Sequence, residues 1–146
     1  MCRWFLWILG ILVLGAGCIG QGETTTVAVP LTGAMRVEVV RTQEAMRRGL
    51  SYRDTIGDGM LFCFPESAPQ FFWMVEMRVP LDAVWVNDGR VTSTQRNIPI
   101  RDEMGQWTRF ASGEPVDALL ELSAGALAEE PLLDGAAIPD VPRACR

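Results

Sequence analysis

Apolar and polar residues alternate along much of the chain with the period of two that a half-buried strand requires. Met35, Val37 and Val39 alternate with Arg36 and Glu38, which predicts a strand over 35–40. Thr24–Val29 is equally β-rich, and Pro30–Ala34 between the two segments makes them a hairpin. The period then changes. Thr42 suits an N-cap, Glu44 falls in the first turn where a negative charge is favoured, and Arg47-Arg48 before Gly49 mark a helix end, so 43–48 is a short helix. Gly57-Asp58-Gly59 breaks the chain ahead of two apolar strands, Met60–Phe64 and Gln70–Val75, separated by a loop over 65–69. Ala83–Val86 and Arg90–Asn97 form a second hairpin about Asn87-Asp88-Gly89. Residues 98–112 read mainly as loop, and Val116–Leu122 as a further strand. Ser123 suits the cap of a second short helix running to Glu130 and stopped by Pro131; Asp134-Gly135 then turns into a short segment around Ile138. Short strands with two short helices predict a β-rich α+β fold. The expected architecture is one compact domain over 24–142, built as a curled antiparallel sheet or a small barrel, with a tether over 18–23 and a C-terminal tail over 143–146.

The N-terminus reads as an address. Met1-Cys2-Arg3 precedes an apolar run, Trp4–Leu14, too short to span a bilayer, then Gly15-Ala16-Gly17 and Cys18. Residues 1–17 are therefore expected to be a signal peptide. With a cysteine directly after Ala-Gly, the pattern resembles the bacterial lipoprotein signal, which implies lipidation of Cys18 and an exported, lipid-anchored domain, periplasmic or on the cell surface. A plain secretory signal and a short uncleaved anchor are the other readings. Cys63 and Cys145 would then meet an oxidising compartment and could pair, or Cys63 could be a small core residue of the run Met60–Phe64.

Composition removes several chemistries. The chain of 146 residues suits one domain, and with 49% hydrophobic and 21% charged residues it is neither disordered nor a multispan membrane protein. It contains no histidine, which excludes Ser-His-Asp and Cys-His catalysis and histidine metal sites. All 13 basic residues are arginines, scattered against 18 acidic ones, so a nucleic-acid partner is not expected. No cofactor and no metal are expected; Asp54 and Asp58 lack calcium-loop spacing.

Four blocks occur in a fixed order: Arg48-Gly49-Leu50 with Arg53 following, Gly59–Phe62 with Phe64, Phe72-Trp73-Met74, and Val79-Pro80-Leu81-Asp82, followed later by Leu119–Leu122 and Ala124-Gly125. Their order and spacing over Val37–Ile138 resemble the prokaryotic family called "domain of unknown function 192". The resemblance implies a compact β-rich fold, frequent export and no established activity. The chain departs from the family pattern at Ser51, where methionine is usual, and at Val75-Glu76-Met77, where Lys-Asn-Thr is usual.

These blocks supply the candidate site. Phe71 and Trp73 should share one face of their strand and Phe72 and Met74 the other, so one pair can fill the core while the other lines a cleft. Asp82, entering beside Pro80, could form a two-point pair with Arg48 or Arg53, either as a structural tie or as part of a site. With Glu121 and an exposed Trp73, these residues would make a polar-floored, aromatic-walled ligand pocket. Two functions follow. The first is a binding module for a small ligand or envelope protein. The second is an envelope hydrolase or lyase with Asp82 and Glu121 as acid and base and Arg48 holding an anion. Cys63 as a nucleophile lacks a base.

Overall fold

In the computed structural model of the protein, which describes residues 23–30, 32–127 and 135–146, a six-stranded sheet carries the chain. Strands β1 (Thr24–Val29) and β2 (Gly33–Val40) form the expected hairpin, Thr24 opposite Glu38 and Val29 opposite Gly33. Helix α1 spans Gln43–Arg48, with the Thr42 hydroxyl accepting from the Ala45 N–H. It serves, with residues 49–58, as a crossover, so the end of β2 lies parallel to the start of β3 (Gly59–Trp73), Glu38 opposite Met60. The sheet is thus mixed, a correction to the expectation of an antiparallel one.

The two apolar strands expected at 60–64 and 70–75 are one strand. Pro65 and Pro69 cannot donate to a ladder, and they are carried at irregularities in the pairing of β3 with β6 (Arg109–Ser123), between Cys63 and Ala68 and between Pro69 and Phe71. Strands β4 (Leu81–Asn87) and β5 (Arg90–Ile98) complete the order β1-β2-β3-β6-β4-β5. The helix expected after Ser123 does not form over its described part. Ser123 ends β6 and its carbonyl accepts from the Ala126 N–H in a turn, while 128–131 lie outside the described residues. The second helix, α2, is Asp140–Ala144. Among the described residues no helix is long and apolar enough to cross a membrane.

Both sheet faces are covered. On one, Leu61, Val84, Leu120 and Leu122 from the middle strands share a cluster with Val27 of β1 and Val91 of β5. Those two strands are the opposite edges of the sheet, so it curls around this core without closing, and the barrel alternative does not hold. The C-terminal segment bridges the gap. Ile138 donates to the Gly89 carbonyl at 2.7 Å on the β4–β5 side, and Ala28 of β1 donates to the Asp140 carboxylate at 3.1 Å. Cys145 is joined to Cys63 of β3 across a Cα separation of 5.3 Å. Residues 143–145, expected to trail as a tail, are part of this strap. The other face buries Met60, Phe62, Ala83, Trp85 and Leu119, with Leu50 from beyond α1 and Met74 from beyond β3. It is here that the candidate site opens.

Candidate functional site

A hollow of about 560 Å³ lies between α1 and the outer half of β3. Met46, Leu50, Phe62, Phe64, Phe72 and Leu81 give it apolar walls. Phe72 is wedged into the aromatic cluster beneath, its ring 5.2 Å from Phe62 and 5.8 Å from both Trp85 and Phe110, so that wall is held in place by the core. Arg47 and Arg48, ending α1, are exposed at the rim, as are Tyr52 and Trp73. Strand alternation acts as the sequence predicts. Met74 is buried and Phe72 packs on the core, while Trp73 is 61% and Phe71 81% exposed. Trp73 stands on a lip, since Phe71, Phe72 and Trp73 also border a second hollow of about 600 Å³ with Gln95 and Arg109.

Glu121 reaches this hollow from β6, where it stands opposite Met60 on one side and Ala83 on the other, both residues of the face that carries the hollow. Its side chain is buried, at 5% exposure. Burial among apolar neighbours disfavours the charged carboxylate and pushes its pKa up to about 8, so at neutral pH the wall presents mainly a carboxylic acid. The other ionisable groups around the hollow are Arg47, Arg48, Tyr52 and Glu76.

A carboxyl with a raised folded-state pKa binds its proton more tightly folded than unfolded, so its contribution is complete below the ordinary value of 4.5 and is lost as pH rises to about 8. Glu121→Gln should remove that loss. Urea unfolding at about pH 5 and about pH 9 should show wild type falling behind the variant by several kcal/mol across the interval. Parallel curves would contradict a buried acid.

The other candidates fall elsewhere. Asp82 is fully buried, and its neighbour across β6 is Leu122, on the face opposite Glu121. One carboxylate oxygen accepts from Asn97 at 2.7 Å; the other accepts from Gly125 and Leu127, each at 3.0 Å. Three backbone donors thus occupy the carboxylate that was expected to face an arginine, and it clasps the β5 bulge to the turn after β6. Arg53 instead forks onto Glu38 of β2, with one of the two contacts at 3.0 Å, and holds that carboxyl below its usual range, Arg48 adding a weaker pull from nearby. Neither Asp82 nor Arg53 borders the hollow; Arg48, Trp73 and Glu121 do. The Asp82–arginine pair and the Asp82–Glu121 acid/base pair are therefore both corrected, because residues 82 and 121 project from opposite sides of one sheet. Cys63 is held in the disulfide and is not a free thiol.

Sequence reasoning missed the part of the rim formed by Tyr52 and Glu76. Tyr52 and Glu76 both adopt left-handed backbone, φ 64° and 58°, and the Tyr52 N–H donates to the Glu76 carbonyl at 2.8 Å, stitching the turn after α1 to the turn after β3. Ser51 adds a hydroxyl bond to the Val75 carbonyl at 3.1 Å. The asparagine usual in the family at Glu76 was the available signal, because asparagine enters this region more readily than glutamate. Glu76→Asn is expected to raise stability by about 0.5 kcal/mol in urea unfolding; a loss would show that the Glu76 side chain matters more than its backbone.

The sequence profile of DUF192 (Uncharacterized ACR) matches residues 26–139. Two solved structures are similar. One is a protein of Sinorhizobium meliloti 1021 provisionally described as a transcription regulator, 28% identical over 73% of this chain and 87% of that one, with a TM-score of 0.62. The other is a protein of unknown function from Novosphingobium aromaticivorans DSM 12444, 27% identical over 74% and 79% of the two chains, with a TM-score of 0.61. No protein of curated function matches.

Proposed function

The chain belongs to the DUF192 family, and from that premise we propose that it is a binding module whose hollow captures a small ligand in the cell envelope. The observation that carries the reading is the hollow itself: open, apolar-walled, of a size usual for small-molecule sites, with one buried acid in its wall and two arginines at its mouth. Convergent polar groups in an apolar cleft fix a ligand's orientation. Catalysis by paired carboxylates is not favoured, since Asp82 turns away and is taken up by backbone donors. Glu121 alone, as an acid with a raised pKa, is the remaining foothold for a hydrolase or lyase. A transcriptional role draws no support from 13 scattered basic residues against 18 acidic ones.

Export by residues 1–17 and anchoring through lipid on Cys18 belong to the same proposal, supported by the Trp4–Leu14 run and the Ala-Gly-Cys junction. The test is native mass spectrometry of the full chain recovered from its own envelope. A bound small molecule should accompany wild type and be depleted about tenfold from the folded Trp73→Ala and Arg48→Ala variants. Mass equal to the polypeptide with its lipid alone would sink the reading.

A further inference from the structure

We infer that the ligand of this hollow is an anionic amphiphile, its hydrocarbon chain lying against the apolar walls and its phosphate or carboxylate head at Arg47 and Arg48. The inference rests on the binding-module reading and names the class of ligand. Three observations converge on it.

The first is the separation of character within one hollow. Its floor and walls are mainly aliphatic and aromatic, with Ser51 and Gln70 the uncharged polar side chains among them: Leu50, Phe62 and Leu81 are almost fully buried and Phe72 is locked by four aromatic neighbours. Its charged groups stand at the mouth. A sugar or nucleotide would need hydrogen-bond partners along its whole length, whereas a hydrocarbon chain needs none.

The second is charge at the mouth. Arg53, Arg41 and Arg78 are engaged by Glu38, Glu23 and Asp54, but Arg47 makes no ion pair or hydrogen bond among the described residues, and Arg48 has only a through-space pull on a Glu38 carboxylate already forked by Arg53. Arg47 and Arg48, successive residues at the end of α1, both border the hollow and leave donors for an anionic head. Glu76, the one other charge on the rim, sits near enough to Arg78 to raise that guanidinium's pKa, which offsets its repulsion of an anion.

The third is Glu121. A carboxyl that is 95% buried and directed into an apolar hollow, with no hydrogen bond or ion pair among the described residues, is unexplained by folding. As a neutral acid it tolerates a hydrocarbon neighbour and can donate one hydrogen bond to a polar atom near the head; as a carboxylate it would repel an anionic head and lose its hydration beside the chain. Binding should therefore weaken as Glu121 ionises; Arg47, Arg48, Tyr52 and Glu76, the other titratable groups around the hollow, are common to both chains of the comparison below.

Calorimetric titration of the full chain with decyl phosphate, decanol and inorganic phosphate separates the parts. One decyl phosphate should bind per chain, decanol about tenfold more weakly, and phosphate alone without detectable heat. Arg47→Ala and Arg48→Ala, both at exposed positions, should each weaken decyl phosphate about fivefold and leave decanol unchanged. Raising pH from about 7 to about 9 should weaken wild type relative to Glu121→Gln, the ionisation of the phosphate head being common to both. Phosphatidylglycerol vesicles form a separate arm: vesicle binding that competes with decyl phosphate makes the source a membrane lipid, and its absence makes the source a free amphiphile. Equal affinity for decyl phosphate and decanol, or arginine variants without effect, overturns the inference. No amphiphile binding, with another molecule found on the envelope-derived protein, overturns it and leaves the binding module standing; no ligand in either experiment overturns both.

Discussion

Asp82→Ala is expected to be the most damaging single substitution in the sheet, lowering unfolding free energy by about 4 kcal/mol or more. Its two oxygens take three backbone donors, from Asn97, Gly125 and Leu127, at a position with no exposure to water. Each buried donor left without an acceptor costs about 1–3 kcal/mol, and here water has no path to replace the lost oxygen. Asp82→Asn keeps one acceptor but aims an amide N–H₂ at the remaining donors, so it should cost about half as much. Urea unfolding with an unchanged m-value measures both. Where the variants remain folded, ligand capture should be unaltered, because Asp82 lies across the sheet from the hollow. A cost under about 1 kcal/mol would show that the clasp does little.

Removal of the Cys63–Cys145 bond, by reductant or as Cys145→Ser, should cost about 4–5 kcal/mol. The bond closes a loop with a sequence separation of 82, and the chain-entropy model gives that magnitude for a loop of this length. Its consequence is local as well. The strap it pins donates to Gly89 on one side of the curled sheet and accepts from Ala28 on the other, so its release should raise hydrogen exchange at Val91 and Ala28 before exchange at Leu120 in the centre. Uniform loss of protection would mean that the strap does not hold the two edges.

What could be read from the chain was whatever local chemistry decides. Helix α1 begins and ends where Thr42, Glu44, Arg47, Arg48 and Gly49 placed it, because caps and end charges act within a turn. The β4–β5 hairpin turns at Asp88-Gly89, both left-handed, for the same reason. The long partner strand β6 let β3 continue through Pro65 and Pro69, and nothing in residues 60–75 announces a partner found at 109–122. Helix α2 was hidden because it holds five residues, includes Pro142 and has no side-chain cap.

The site divided along similar lines. Alternation paired Phe71 with Trp73 and Phe72 with Met74 without deciding which pair faced outward, and the end signals of α1 placed Arg48 in its last turn. Glu121, an acid flanked by leucines in Leu119–Leu122, is buried, and nothing in those residues reveals its surroundings. Whether it met Asp82 depended on parity across two strands. Ala83, not Asp82, stands opposite Glu121, and a shift of one residue would have put both carboxyls on one face. That parity is a property of the assembled sheet.

A neutral acid in the wall of an open hollow is the central feature of the site. Titration of the Glu121 side-chain carboxyl by carbon-13 NMR, with Glu121→Gln used to assign the resonance, measures this directly. A midpoint near 8, moving upward when decyl phosphate is added, is the predicted result. A midpoint at the ordinary carboxylate value of 4.5, insensitive to amphiphile, would contradict it.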